Sequence, residues 1–223
     1  QIIIDYDYSQ AVKDGVISEF RLTNHKVEFT PEEAERYADF TRKIIREISY
    51  LKSEGLPTSE RLERLLMMRA SVSKNAELRL PVAVGLIQSV MPRKTILFHE
   101  SIDHIEAISL VLQEMGIDCR TYHSKLSPIR ARESLSLFVD NSIDVLLTCR
   151  SLDEGFDLPD IEVGIVASMT KSPRQRIQRL GRILRKVEGK VAEIKTIHTM
   201  HEDEVLREEA ERLEGSESIR WYG

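Results

Sequence analysis

Cysteine is scarce in this chain. Its 223 residues hold two, Cys119 and Cys149, with no Cys-x-x-Cys and no histidine pairing at zinc spacing. A disulfide scaffold and a zinc ribbon are thereby excluded, and a reducing, cytoplasmic setting is expected. Long apolar runs are missing too: none approaches the ~18 to 20 residues of a membrane span. The apolar opening Gln1-Ile2-Ile3-Ile4 meets Asp5 and Asp7 too soon for a signal peptide. No membrane partner is expected. Only 10 glycines, 7 prolines and 6% aromatics leave no room for a collagen-like or low-complexity chain. What is present, 41% hydrophobic and 31% charged residues, is an ordinary globular composition with enough length for a real core. That length suits one large domain, or one domain with an appendage.

A net charge of −5 argues against nucleic acid as a partner, but the average hides a segregation. Between Lys171 and Lys190 eight basic residues face Glu188 alone. Between His201 and Glu217 the balance reverses, with eight acids against Arg207 and Arg212. A concentrated basic stripe attracts phosphate whatever the total charge.

Residues 1–29 mix short β-prone stretches with a turn at Asp14-Gly15 and read as a connecting segment. Thr30-Pro31-Glu32-Glu33 then reads as a helix start: Thr30 can cap, Pro31 suits the first helical position and Glu33 completes a capping box. Gly55-Leu56-Pro57-Thr58-Ser59 breaks that helix, and Leu62, Leu65, Leu66 and Val72 mark a second, so residues 30–92 are expected to be mainly helical. Residues 93–223 change pattern. Strands are predicted at 95–98, 119–122, 143–148, 163–167 and 192–197, alternating with helices at 102–115, 128–139 and 173–184. Strands alternating with helices of this length predict an α/β fold, a parallel sheet with helices on both faces, preceded by the mainly helical segment. In such sheets ligands bind beyond the carboxyl ends of the strands, which directs attention to the loops there.

Three of those loops carry candidate chemistry. Gln178-Arg179-Leu180-Gly181-Arg182-Ile183-Leu184-Arg185 lies on the last predicted helix. Gln178, Arg182 and Arg185 share one face of that helix at spacings of four and three, opposite Ile177, Leu180 and Leu184. A generic charged helix would be read as a solvated face; five arginines without an acid among them, in residues 174–185, favour phosphate instead. The second stretch, Thr148-Cys149-Arg150 through Glu154-Gly155-Phe156-Asp157-Leu158-Pro159, follows a strand and offers hydroxyls, backbone amides and a carboxylate suited to a ribose. The third, Leu97-Phe98-His99-Glu100-Ser101, is again strand into helix, where Ser101 reads first as a cap. His123 follows a strand as well, and either a nucleic-acid contact or a polar turn fits it. His99 and His104 stand five apart, where the zinc-binding His-Glu-x-x-His helix needs four.

Taken in chain order, these three stretches resemble motifs IV, V and VI of the superfamily 2 helicases, in the second RecA-like (helicase C-terminal) domain of the motor. The resemblance covers roughly residues 94–200. It is nearest to the XPB-like DNA repair helicases and related restriction-type translocases, on Leu152-x-Glu154-Gly155-x-Asp157-x-Pro159 and on Gln178 before the first arginine. What the resemblance implies is specific. Arg182 and Arg185 would reach ATP held by the other motor domain as arginine finger. Gly155, Asp157, Gln178 and Arg179 would border the nucleotide, with Asp157 on the ribose hydroxyls and Arg179 bracing motif V. Ser101, His123, Thr148, Cys149 and Arg150 would line the nucleic-acid groove, Cys149 standing where many relatives carry Thr.

No Gly-x-x-x-x-Gly-Lys-Ser/Thr loop and no acidic box in strand-end context occurs in the sequence. ATP and Mg²⁺ would therefore be bound mainly by a first RecA-like domain lying outside these residues, and the chain alone is expected to be inactive as an ATPase. DNA is the expected polymer, a single strand or a duplex with a single-stranded region. A non-catalytic nucleic-acid-binding or scaffold module, and an RNA helicase domain, are the alternatives. No metal site is expected in the chain itself.

Overall fold

The computed structural model describes residues 14, 19–149, 161–168, 191–200 and 219–222, the last four by their backbone. Within them the order is β1 (Glu19–Val27), α1 (Pro31–Ser53), α2 (Glu60–Lys74), α3 (Arg79–Val90), β2 (Thr95–His99), α4 (Ile102–Glu114), β3 (Cys119–Tyr122), α5 (Pro128–Val139), β4 (Val145–Cys149), β5 (Val163–Val166), β6 (Val191–Thr199) and β7 (Ile219–Tyr222). The strands form one sheet in the order β3-β4-β2-β5-β6-β1-β7, and every neighbouring pair is parallel.

Local chemistry sets the helix ends. Glu33 N–H donates to Thr30 Oγ1 at 3.3 Å while Thr30 N–H donates to Glu33 Oε2 at 3.0 Å, so the capping box forms as the sequence predicts. At its other end α1 stops in a left-handed residue, Gly55 with φ 67°, and Leu56 N–H reaches back to the Leu51 carbonyl at 2.9 Å. Gly116, φ 77°, closes α4 in the same way, with Ile117 N–H on the Leu112 carbonyl at 2.9 Å. After α5 the left-handed position is filled by Asn141, whose short polar side chain tolerates that conformation.

Parallel strands are covered on both faces, so β2, β4 and β5 read as continuous apolar runs. Leu135 and Phe138 of α5 pack one face, against Ile96, Phe98 and Leu146. On the other, Ala83, Ile87 and Val90 of α3 and Ile105, Ile108 and Leu112 of α4 meet Leu97, Val145 and Leu147. The strands expected at 95–98, 119–122, 143–148, 163–167 and 192–197 and the helices at 102–115 and 128–139 are present within two residues at most ends. The helix expected at 173–184 lies outside the described residues.

The amino-terminal region departs from its reading as a connecting segment. Residues 19–27 form β1, which sits between β6 and β7 and pairs with β6 over nine positions, from Glu19↔Val191 to Val27↔Thr199. Its sequence, EFRLTNHKV, has few apolar residues, and Thr23 and Asn24 are nonetheless buried. Pairing on both sides satisfies its backbone, a long-range effect that no local periodicity announces. Residues 30–92 are mainly helical as expected, in α1, α2 and α3, and α3 packs against the sheet.

Candidate functional site

Because all strands run parallel, their carboxyl ends share one edge, where His99, Tyr122, Cys149, Val166 and Thr199 terminate β2 to β6. One register row just inside that edge joins Tyr122, Thr148, Phe98, Val166, Thr196 and Asn24 across six strands. The sequence-predicted residues that the structure describes all fall on this edge.

Ser101 is the amino-terminal cap of α4, its Oγ accepting the His104 N–H at 3.4 Å. Its own N–H donates to His99 Nδ1 at 2.9 Å, which holds the buried His99 ring beneath the loop. The His99 and His104 rings stack in parallel with centroids 4.7 Å apart. Burial pushes the His104 pKa below its ordinary 6.5, and the nearby Arg79 charge adds to that; a hydrogen bond to the Asn75 backbone acts in the opposite sense.

His123 is buried with both ring nitrogens engaged. Lys125 N–H donates to Nδ1 at 3.2 Å, which leaves the proton on Nε2 to be donated to Glu106 of α4 at 2.7 Å. The polar-turn role is therefore visible at His123. Thr148 lies fully inside the sheet and Cys149, half-buried, stands at the rim beside His99 in register. Arg150, Gly155, Asp157, Gln178, Arg179, Arg182 and Arg185 lie outside the described residues.

The same edge holds a cluster that the sequence reading missed. Arg79, the first residue of α3, is 1% exposed. Its Nε donates to the Ser73 carbonyl at 2.9 Å, and Nη1 donates to the carbonyls of Ala167 at 2.9 Å and Ile197 at 2.5 Å. Around it Ser73 and Thr199 hydroxyls hydrogen-bond at 2.7 Å, Lys74 pairs with Glu100, and Glu100 N–H donates to Ser168 Oγ at 2.9 Å. The carboxyl end of α2 is thus fastened to the ends of β2, β5 and β6. One signal was available in the sequence: Arg79 is the sole charged residue of an otherwise apolar or neutral helix, RLPVAVGLIQSV. A charge so placed has to find polar partners in the interior.

A parallel sheet with helices on both faces, and capped, polar loops gathered at one carboxyl edge, defines the class of the RecA-like α/β domains. Residues 79–187 match the family described as the helicase conserved C-terminal domain. That match covers just under half of the chain, and over it the chain is similar to the C-terminal domains of superfamily 2 helicases. Among curated relatives it is 33% identical to the UvrABC system protein B of Synechococcus sp. (strain JA-3-3Ab), over 47% of this chain and 16% of that protein. It is 29% identical to the DNA 3'-5' translocase XPB2 of Sulfurisphaera tokodaii, over 76% of this chain and 41% of that protein. The DEAD-box ATP-dependent RNA helicase 36 of Arabidopsis thaliana is 25% identical over 69% of the chain and 32% of its own length. The chain thus spans well under half of these relatives. Of solved structures, the Sulfolobus solfataricus SWI2/SNF2 ATPase C-terminal domain superposes with a TM-score of 0.60 at 14% identity, covering 88% of this chain and 87% of that one. The C-terminal part of the Fun30 ATPase domain does so with a TM-score of 0.66 at 12% identity, covering 86% and 89%.

Proposed function

We propose that this chain works as the second motor domain of an ATP-dependent DNA helicase or translocase. In this reading Arg182 and Arg185 complete an ATP site whose phosphate-binding loop and Mg²⁺ ligands belong to a first RecA-like domain. Neutralising charge on the transferring phosphoryl group is what a guanidinium does best, and such a finger is worth about 10³ to 10⁵ in rate. Ser101, Cys149 and Arg150 follow the nucleic-acid backbone along the carboxyl edge, with buried Thr148 and His123 supporting the loops there, and phosphate contacts set position without reading sequence. Closure of the two domains over ATP then couples hydrolysis to stepping along a strand.

The observation that carries the reading is the match of residues 79–187 to the helicase C-terminal family, whose span includes Gln178-Arg179-x-Gly181-Arg182-x-x-Arg185. DNA rather than RNA is supported by the XPB2 relative, named a DNA translocase, over 76% of the chain. The relative named an RNA helicase favours the second reading, in which the same residues follow RNA.

The test is ATP hydrolysis by the full-length protein, measured with DNA and with RNA, beside these 223 residues alone and the full-length Arg185→Ala variant. DNA-stimulated turnover in the full-length wild type only, with ATP binding kept in Arg185→Ala, is the expected result. Retained turnover in Arg185→Ala removes the finger assignment. Stimulation by RNA alone transfers the motor to RNA, and no turnover in any sample with nucleic acid still bound leaves a binding module.

A further inference from the structure

A groove of about 320 Å³ runs between α1 and α2, lined by Glu33, Arg36, Phe40, Met68, Ser71 and Asn75 among others. Helical spacing extends its two walls. Arg36, Lys43 and Tyr50 recur every seven residues on one side of α1, and Arg64, Met68 and Ser71, spaced four and three apart, share one side of α2. Arg36 and Phe40 meet Met68 and Ser71 in the groove, so these two stripes face the same opening.

The charges on this face are unequal in availability. Both carboxylate oxygens of Glu33 are occupied, by Thr30 N–H at 3.0 Å and Glu77 N–H at 2.9 Å. Asp39 is held by Lys43 at 2.6 Å, and buried Glu47 accepts the Ser59 hydroxyl and pairs with Arg61. Glu60 and Glu63 stand in the first turn of α2, where the helix dipole favours them. By contrast Arg36 and Arg64 are exposed and, among the described residues, make no ion pair or hydrogen bond. Two exposed guanidinium groups on facing walls of one groove favour a polyanion, and their fork geometry matches phosphate. Between the cations lie surfaces on which bases stack: Phe40 in the groove and Tyr50, 56% exposed, further along the α1 stripe.

The groove also adjoins the candidate edge. Asn75 lines it and takes a hydrogen bond from the His104 ring through its backbone, while His104 Nδ1 lies 3.3 Å from Ser101 Oγ. We infer that the groove between α1 and α2 binds a single strand of nucleic acid, extending the path that passes Ser101. The inference rests on the nucleic-acid reading of that edge. Arg36 and Arg64 hold phosphates on opposite walls, and Phe40 and Tyr50 stack bases.

The experiment measures binding of a fluorescent single-stranded oligonucleotide to the full chain across a salt series. It compares wild type with Arg36→Glu/Arg64→Glu and with Arg21→Glu/Arg120→Glu, an equal change of charge at the opposite, amino-terminal edge of the sheet. Both substituted groove residues are exposed, so the fold should hold. The groove variant is expected to bind at least about tenfold more weakly, with a salt dependence shallower by roughly 1 to 1.5 in log–log slope, and the edge variant to match wild type. Equal losses in both variants would mean a general charge effect and overturn the groove. Unchanged binding in the groove variant would overturn it too, leaving the motor reading standing. A wild type that binds no oligonucleotide would remove the nucleic-acid reading of the edge, and the groove with it.

Discussion

Arg79 Nη1 donates to the main-chain carbonyl of Ala167 at 2.9 Å, joining the first turn of α3 to the chain as it leaves β5, 88 residues away. The same guanidinium holds Ser73 at the end of α2 and Ile197 in β6. One buried cation thus ties three segments together at the edge where the candidate site lies. Replacing Arg79 with Met leaves these carbonyls short of donors in a dry interior, where each lost partner costs about 1 to 3 kcal/mol. A destabilisation on the order of 3 kcal/mol or more is expected, read as a lowered urea midpoint. An unchanged midpoint would show that the three bonds contribute nothing net. Arg79→Lys keeps the charge but not the fork, and is expected to recover only part of the loss.

Two glycines on neighbouring helices should respond to the same substitution with opposite sign. Gly85 lies within α3 with nothing within 4 Å of an added Cβ. Gly85→Ala should raise stability by about 0.5 to 1 kcal/mol, through the freedom removed from the unfolded chain. Gly116 has equal space around it but sits at φ 77°, so Gly116→Ala should cost about 1 to 2 kcal/mol in backbone strain alone. Thermal melts of the two variants decide the matter. A shift of the same sign in both would show that φ is not what distinguishes the sites.

His104 makes the fold sensitive to acid. Its folded-state pKa lies below 6.5, chiefly because burial disfavours the charged ring. The folded protein therefore resists a proton that the unfolded chain accepts. The associated stability is fully present above about pH 6.5 and is lost as pH falls from there toward the folded-state pKa. His25, also lowered by burial and then by Lys195 and His198, acts in the same direction. Unfolding free energy measured between about pH 7.5 and pH 5.5 should fall less steeply in His104→Gln than in wild type. Parallel curves would exclude His104 as a contributor.

Thr30 and Glu33 close the amino end of α1, whose groove wall depends on that helix being whole. Thr30→Ala should cost about 1 kcal/mol, and Thr30→Ser should restore most of it. Amide exchange over the first turn of α1 is the direct readout. Protection equal to wild type in Thr30→Ala would mean that packing, rather than the cap, holds this end.

Much of this architecture was legible in the one-dimensional pattern. Strands β2 and β4 appear as short apolar runs because both their faces are buried, and Thr30 and Ser101 announce α1 and α4 because a cap acts over three residues. The carboxyl-edge loops were likewise readable, since alternating strands and helices leave only one edge for ligands. Strand β1 was not. Asn24, 1% exposed, sits opposite Thr196, so burial there follows no apolar code. At His123 the sequence left ligand and polar turn open, and its hydrogen bond to Glu106, 17 residues away, is a contact that no local pattern announces.

By itself, then, the sequence determined the elements between residues 30 and 199 that it predicted and the structure describes, the caps at Thr30 and Ser101 and the motif pattern, because those signals act between residues a few positions apart. The order β3-β4-β2-β5-β6-β1-β7 and the insertion of β1 between β6 and β7 were decided only by the tertiary structure. So was the meeting of Arg79 with carbonyls at positions 73, 167 and 197. Backbone donors and acceptors are the same in every residue, so which distant strand satisfies them is settled when burial of the whole sheet selects a single arrangement.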